Sequence, residues 1–335
     1  MRTTLTAAMA GVAAAGLAAG ALTACGGTAS GAAGTVGAAS RRSMELIVGT
    51  RSDDFYVSME CGAQREARKL GVSLTITGPA GFGAPEQKQL IDEAGLTRPD
   101  ALLVAPATDT PALDPDLRRV QQAGTKLIFV DTAPADPALG LTRISSDNAA
   151  GGRLAADSLG RLLAGRGTVA VISVARGVPA TDARVRGFRQ EMAARWPRIR
   201  LLPEQHDNAD SVTTAAALIG ADITAHPHLR GAFAASVIAA GGVASGIARA
   251  RRSGRVKLAT FGADPQQMAM MRSGTIQLAI AQEPGAEGAD AVRAGLAALA
   301  GRPVPKHIAT PLVAITRRNM DSASVRPYVY VSSCG

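Results

Sequence analysis

The chain has 335 residues, 47% of them apolar but only 3% aromatic, and a formal net charge of +9. That length is long for one domain and comfortable for two, and an apolar fraction drawn largely from alanine implies a core of small aliphatic side chains. The arginines are scattered apart from Arg249, Arg251, Arg252 and Arg255, and no aromatic residues interleave with that cluster. The charge therefore reads as solvated surface and the chain is not expected to bind nucleic acid.

In chain order, Arg2 precedes an apolar stretch from Leu5 to Leu22 that ends in small residues, the pattern of an export signal. Leu22-Thr-Ala-Cys25 resembles the bacterial lipoprotein box, in which the cysteine thiol receives diacylglycerol and the signal is cut just before it. An ordinary signal peptide, or a plain anchor helix, would leave Cys25 without a role. Two acyl chains anchor stably where one does not. The expectation is a signal peptide over residues 1–24, lipidation at Cys25 and a flexible Gly/Ala/Ser/Thr tether over 25–43. The protein then works at the cell membrane, lipid-anchored on the extracytoplasmic face. With Cys25 lipidated, Cys61 and Cys334 remain. They are open between a disulfide and a buried thiol at Cys61 with a free one in the tail. His206, His226, His228 and His307 lack ligand spacing, so neither a metal nor a cofactor is expected.

The folded part alternates short apolar runs with helical stretches. Runs at 45–49, 72–76, 101–105 and 127–130 are separated by helices expected near 56–70, 85–93 and 113–123. The alternation restarts after Asp147-Asn148, with strands expected near 169–172, 199–202, 231–235, 256–261, 275–281 and 311–316. The helices between them are expected at 151–163, 181–195, 209–224, 239–250, 265–271 and 286–300. Continuous apolar strands between helices indicate parallel sheets covered on both faces. The fold class is α/β: two doubly wound parallel-sheet lobes, with ligand sites at the strand C-termini facing a cleft.

Markers then appear in a telling order: Asp53-Asp-Phe-Tyr-Val-Ser-Met59, Gly62-Ala-Gln-Arg-Glu-Ala67, Pro106-Ala-Thr-Asp109, Val130-Asp131, Ser146-Asp147-Asn148, Ala183-Arg184-Val-Arg-Gly187-Phe188, Ala225-His226-Pro227 and Gln282-Glu-Pro284. With them the chain, from Met44 to about Asp321, resembles the type 1 periplasmic sugar-binding proteins of ABC importers, the ribose- and galactose-binding group. The resemblance implies a three-crossing hinge near Asp147, Glu283 and Pro311. It implies an N-terminal lobe of 44–147 plus 284–310, a C-terminal lobe of 148–283 plus 311–328, and a tail of 329–335.

A sugar offers an apolar face and a rim of hydroxyls, so its site needs aromatic rings and planar polar groups. Phe55 and Tyr56 supply rings, with the one that faces the cleft left open. Asp53, Asp131 and Gln282 match family positions that bind ligand hydroxyls, and Asp131 alone is equally readable as a helix cap. Asp182 stands where an arginine is expected and Ser236 where an asparagine is expected. Asp131 is followed by Thr132 instead of arginine, Ala209 replaces an aromatic, and Gly262 replaces an aspartate, with Asp264 two residues on. On this reading the second lobe has lost its ring-stacking and bidentate arginine contacts. A neutral polyhydroxylated or amine-bearing ligand is then favoured over an anionic sugar.

The implied function is a monomeric substrate-binding protein that captures a sugar or polyol by cleft closure and docks on an ABC permease. The alternative is a lipoprotein sensor presenting the ligand to a receptor or sensor kinase. No Gly-x-Ser-x-Gly elbow, P-loop or Rossmann fingerprint occurs, so no enzyme and no catalytic residue is expected.

Overall fold

A computed structural model describes residues 42–81, 83–107, 111–174, 176, 178–207 and 211–335. The signal, Cys25, most of the tether, Asp109 and the Asn208-Ala209-Asp210 segment lie outside the described residues. Among those described, no helix is long and apolar enough to cross a membrane.

The first sheet has six strands in the order β12-β5-β4-β3-β1-β2, all pairs parallel. They are β1 (Ser43–Ile47), β2 (Ser73–Thr77), β3 (Ala101–Val104), β4 (Lys126–Val130), β5 (Thr142–Ser146) and β12 (His307–Thr310). Helices α1 (Asp54–Leu70), α2 (Ala84–Thr97), α3 (Asp114–Gln122) and α9 (Pro284–Leu299) cover it. The second path is β13-β11-β10-β9-β6-β7, with β8 (Gln205–His206) beside β6. Its strands are β6 (Gly167–Ser173), β7 (Ile199–Leu201), β9 (Leu229–Ala234), β10 (Lys257–Phe261), β11 (Leu278–Gln282) and β13 (Leu312–Ile315). Helices α4 (Asn148–Leu162), α5 (Pro179–Arg195), α6 (Val212–Ala225), α7 (Val237–Arg249) and α8 (Pro265–Arg272) belong to this lobe.

Three strands escape the sequence pattern. β5 reads Thr-Arg-Ile-Ser-Ser and buries alternate residues only, so it has no continuous apolar run. β12 has one buried residue, and β8 is two residues long. β13 runs antiparallel to β11, because the chain enters it directly from β12 through Pro311 with no crossover helix between.

Glycines let two helix pairs approach closely. A Cβ placed on Gly62 would lie 1.9 Å from the Gly285 carbonyl oxygen, and one on Gly152 would lie 1.9 Å from that of Arg184. The α1–α9 and α4–α5 crossings thus bring backbone against backbone, which any larger residue would prevent. The central strands, such as β1, β3 and β4 of the first sheet and β9, β10 and β11 of the second, are buried on both faces, as parallel strands under two helix layers require. At the C-terminal ends of β1 and β3, buried Gln87 ties the loops together. Its amide nitrogen donates to the Val48 and Ala105 carbonyls, and its oxygen accepts from Ala107 N–H.

The chain passes between the sheets at Asp147, between β5 and α4, at Glu283, between β11 and α9, and at Pro311, between β12 and β13. Residues beside all three passages meet at Glu287. Ser146 and Thr310 hydroxyls each donate to its Oε1 at 2.9 Å. Burial, then the nearby Asp131 charge, push this carboxyl up to about 8.

Candidate functional site

The C-terminal strand ends of both sheets open onto a cavity of about 1140 Å³. From the first lobe, β1 leads through Asp53 into α1. Asp53 Oδ1 accepts the Phe55 N–H at 2.8 Å, capping a helix whose own dipole favours a carboxylate there. Phe55 and Tyr56 then face the cavity together, with ring centroids 5.1 Å apart and planes at 86°. The question of which ring faces the cleft has both as its answer.

Asp131 follows β4 with φ at 63°, a left-handed conformation that costs a non-glycine residue energy. Its N–H bonds the Ile144 carbonyl, and its Oδ2 accepts the Tyr56 hydroxyl at 3.0 Å. No helix follows β4, so Asp131 caps nothing. Burial raises its pKa to about 6, against the opposing pull of Arg184 and Tyr56. Asp53 and Asp264 are also raised by burial.

From the second lobe, Arg184 projects from α5 and is only 8% exposed. Its guanidinium donates to Asn148 Oδ1 at 2.8 Å, the Ala235 carbonyl at 3.0 Å and Gln282 Oε1 at 2.8 Å, while it lies 3.8 Å over the Phe261 ring. Gln282, at the end of β11, is buried, with its side chain between the Arg184 guanidinium and the Asp131 carboxylate. Ser236 caps α7 by accepting the Ala239 N–H at 3.1 Å, and Asp264 caps α8 in a capping box with Gln267. Asp54, Thr132, Gly262 and Tyr330 also line the cavity. Buried planar donors and acceptors, set among ring faces at the ends of two sheets, form a site for a hydroxyl-rich, partly apolar small molecule.

Residues 44–303 match the model of the periplasmic binding protein domain. The chain belongs to that family. It is 27% identical over 271 residues to the ribose import binding protein of Escherichia coli, covering 81% of this chain and 89% of the relative. A solute-binding protein of an ABC transporter from Agrobacterium vitis, solved with α-D-tagatopyranose, superposes with a TM-score of 0.82 at 33% identity, covering 86% of this chain and 99% of that one. A second Agrobacterium vitis protein, solved with D-fucose, shares the fold at a TM-score of 0.79 and 24% identity, over 86% of this chain and 99% of that one.

Of the residues picked from sequence, the fold brings Asp53, Phe55, Tyr56, Asp131, Ser236 and Gln282 to one cavity. Asp182 is not among them. It lies on α5 facing an outer depression with Arg176, Arg186, Arg189 and Glu204, because positions two apart on a helix point some 200° apart. The second lobe has not lost its arginine either. Arg184, two residues further along α5, is the one that reaches the cleft. Nor has it lost its rings, since Phe261 and Tyr330 supply them. Only the register of α5 against the sheet distinguishes Arg184 from its neighbours Arg186 and Arg189, and nothing local in the tail sequence marks Tyr330.

Cys61 and Cys334 are joined by a disulfide, with Cα atoms 5.3 Å apart. Asp147 caps α4 through the Ala150 N–H, and Asn148 receives Arg184, so both serve the hinge and its neighbour. Among the described residues, no group of three or more metal-ligating side chains is present.

Proposed function

We propose that this chain is the extracytoplasmic binding protein of an ABC importer, capturing a sugar or sugar-like polyol in its cleft and delivering it to a permease. The observation that carries the proposal is the convergence of Asp131, Arg184 and Gln282 with the Phe55, Tyr56, Phe261 and Tyr330 rings on one cavity between two lobes. The sugars bound by its relatives support the ligand class. Among the described residues, Asp53, Asp54, Asp131 and Asp264 outnumber the one cleft arginine, Arg184, which favours neutral or amine-bearing sugars over uronic or phosphorylated ones. Ligand bridging both lobes stabilises the closed state by the difference in its affinity for closed and open forms. No chemistry on the ligand is required.

The lobes divide at 147/148, 283/284 and 310/311, with Cys25 carrying lipid that holds a monomer beside its permease. A sensor presenting the same ligand to a receptor kinase would use the same cleft, and co-purification with a permease or with a kinase separates the two.

The test is a thermal-shift screen of pentoses, hexoses, polyols, amino sugars, uronic acids and sugar phosphates, followed by calorimetry. A neutral sugar present at a hundred times its Kd is expected to stabilise the protein by about 2.7 kcal/mol. Tight binding of uronic or phosphorylated sugars with no response to neutral or amine-bearing ones would overturn the ligand class.

A further inference from the structure

The last residues of the chain form a strap that runs from the second lobe to α1 along one wall of the cleft. After β13, Asp321 pairs with Arg272 of α8 at 2.9 Å, and Met320 and Val325 are buried in the core. Tyr330 N–H then bonds the Ala263 carbonyl of the second lobe at 3.0 Å. One residue later the attachment changes sides: Val331 N–H bonds the Ser58 hydroxyl of α1 at 2.8 Å. Three residues further, Cys334 is covalently joined to Cys61, also on α1. The strap is thus a fourth link between the lobes, apart from the three hinge crossings, and a covalent one.

The residue at the change of sides is a tyrosine that lines the cleft. Tyr330 is 2% exposed, and its ring lies edge-on to Phe55, with centroids 5.6 Å apart and planes at 74°. Its hydroxyl sits near the Gln282 backbone N–H but makes no hydrogen bond of regular geometry. A buried phenol in this state is rare, because leaving it unmade costs about 1–3 kcal/mol. Beside it are Asp53 and Arg184, whose charges both act on it. Tyr330 lines the cavity, and its hydroxyl, itself buried in the cavity wall, keeps bonding capacity that the protein does not use.

We propose that Tyr330 is a ligand-contacting, specificity-determining residue, delivered into the cleft by the C-terminal strap and held there by the Cys61–Cys334 disulfide. The proposal rests on the sugar-binding reading and deepens it. Its hydroxyl bonds one hydroxyl of the bound sugar, and its ring covers part of the sugar's apolar surface alongside Phe55. The disulfide reduces the conformational freedom that the strap would otherwise lose on binding, since a pre-ordered contact costs less to make.

The experiment is calorimetric titration of the wild type, Tyr330→Phe, Tyr330→Ala, the double variant Cys61→Ala/Cys334→Ala, and that double variant carrying Tyr330→Phe. The probes are the tightest-binding neutral sugar from the screen and its series of monodeoxy analogues. Tyr330→Phe should raise Kd about tenfold for the parent sugar, and Tyr330→Ala about a hundredfold. For one deoxy analogue, the one missing the contacted hydroxyl, Tyr330→Phe should change nothing. In the double-cysteine variant Kd should rise about tenfold, and the further loss from Tyr330→Phe should shrink, because the strap no longer holds the ring in place.

Equal losses across the parent and every deoxy analogue would make Tyr330 a structural support and overturn the contact. Unchanged affinities in the Tyr330 and cysteine variants would overturn the proposal outright. A wild type that binds no neutral sugar would instead overturn the sugar reading, and this inference with it.

Discussion

Gly152→Ala tests whether the α4–α5 crossing positions the cleft arginine. The added Cβ would lie 1.9 Å from the Arg184 carbonyl oxygen and 2.8 Å from Phe188 N, whereas ordinary contact begins near 3.4 Å. Both obstacles are backbone, so no rotamer change relieves them and the helices must part by about 1.5 Å. Overpacking of this kind costs about 1–3 kcal/mol, and the helix-propensity gain of alanine over glycine returns up to about 1 kcal/mol. The net stability loss is therefore modest, about 1–2 kcal/mol. The effect on binding is larger, because the shift falls on the residue whose guanidinium makes three hydrogen bonds of 2.8–3.0 Å. A displacement of that size breaks them, and sugar Kd is expected to rise at least thirtyfold. Gly220→Ala is the control. It lies on α6 with nothing within 4 Å of its Cβ, and should stabilise by about 0.5–1 kcal/mol with no change in Kd. Urea unfolding and calorimetry on both variants decide the matter. A Gly152→Ala protein with wild-type stability and wild-type affinity would refute the claim that close backbone packing sets the site.

Other outcomes follow from the buried charges. Glu287 is protonated in the folded protein up to about pH 8, against an ordinary value of 4.5. Folding therefore takes up a proton between these limits, and this group's contribution, whole below about pH 4.5, is lost as pH rises toward 8. Glu287→Gln should match the wild type near pH 5 and exceed it by a few kcal/mol near pH 9; parallel urea-stability profiles would exclude a buried neutral Glu287. Asp131, raised to about 6, adds a slope of the same sign at lower pH that the variant retains. Arg184→Met removes the donor to Asn148, Ala235 and Gln282 while keeping the apolar stem over Phe261. Water entering the cleft limits the stability loss to about 1–3 kcal/mol, but sugar Kd should rise about a hundredfold. A rise below threefold by calorimetry would remove Arg184 from the binding machinery.

The lobes were legible because buried parallel strands leave a strong mark. Runs such as Leu-Leu-Val in β3 and Leu-Ile-Phe-Val in β4 are wholly buried, and helices intervene at nearly regular spacing. β5 and β12 leave almost none, because an edge or half-buried strand may be polar on alternate residues without penalty. Residues at strand ends were equally legible. Asp131, Ser236 and Gln282 each sit at or just after the end of a β-strand, and Asp53 caps the helix that follows β1; the fold brings all four to the cleft.

Residues carried by helices and by the tail were not legible. Asp182 and Arg184 differ by two positions on α5, and choosing between them needs the rotation of the helix about its axis. That rotation is set by Gly152 and Gly187 letting α4 and α5 touch, a contact between segments some 35 residues apart. Tyr330 and Cys334 depend on a still longer return of the chain, to a partner 273 residues away. The sequence by itself determined the two-lobe α/β plan and the strand-end residues that line the cleft, since both follow from local periodicity and the order of motifs. Only the tertiary structure decided which arginine enters the cleft and that the tail returns to line it, because helix rotation and chain return are properties of packing between distant segments.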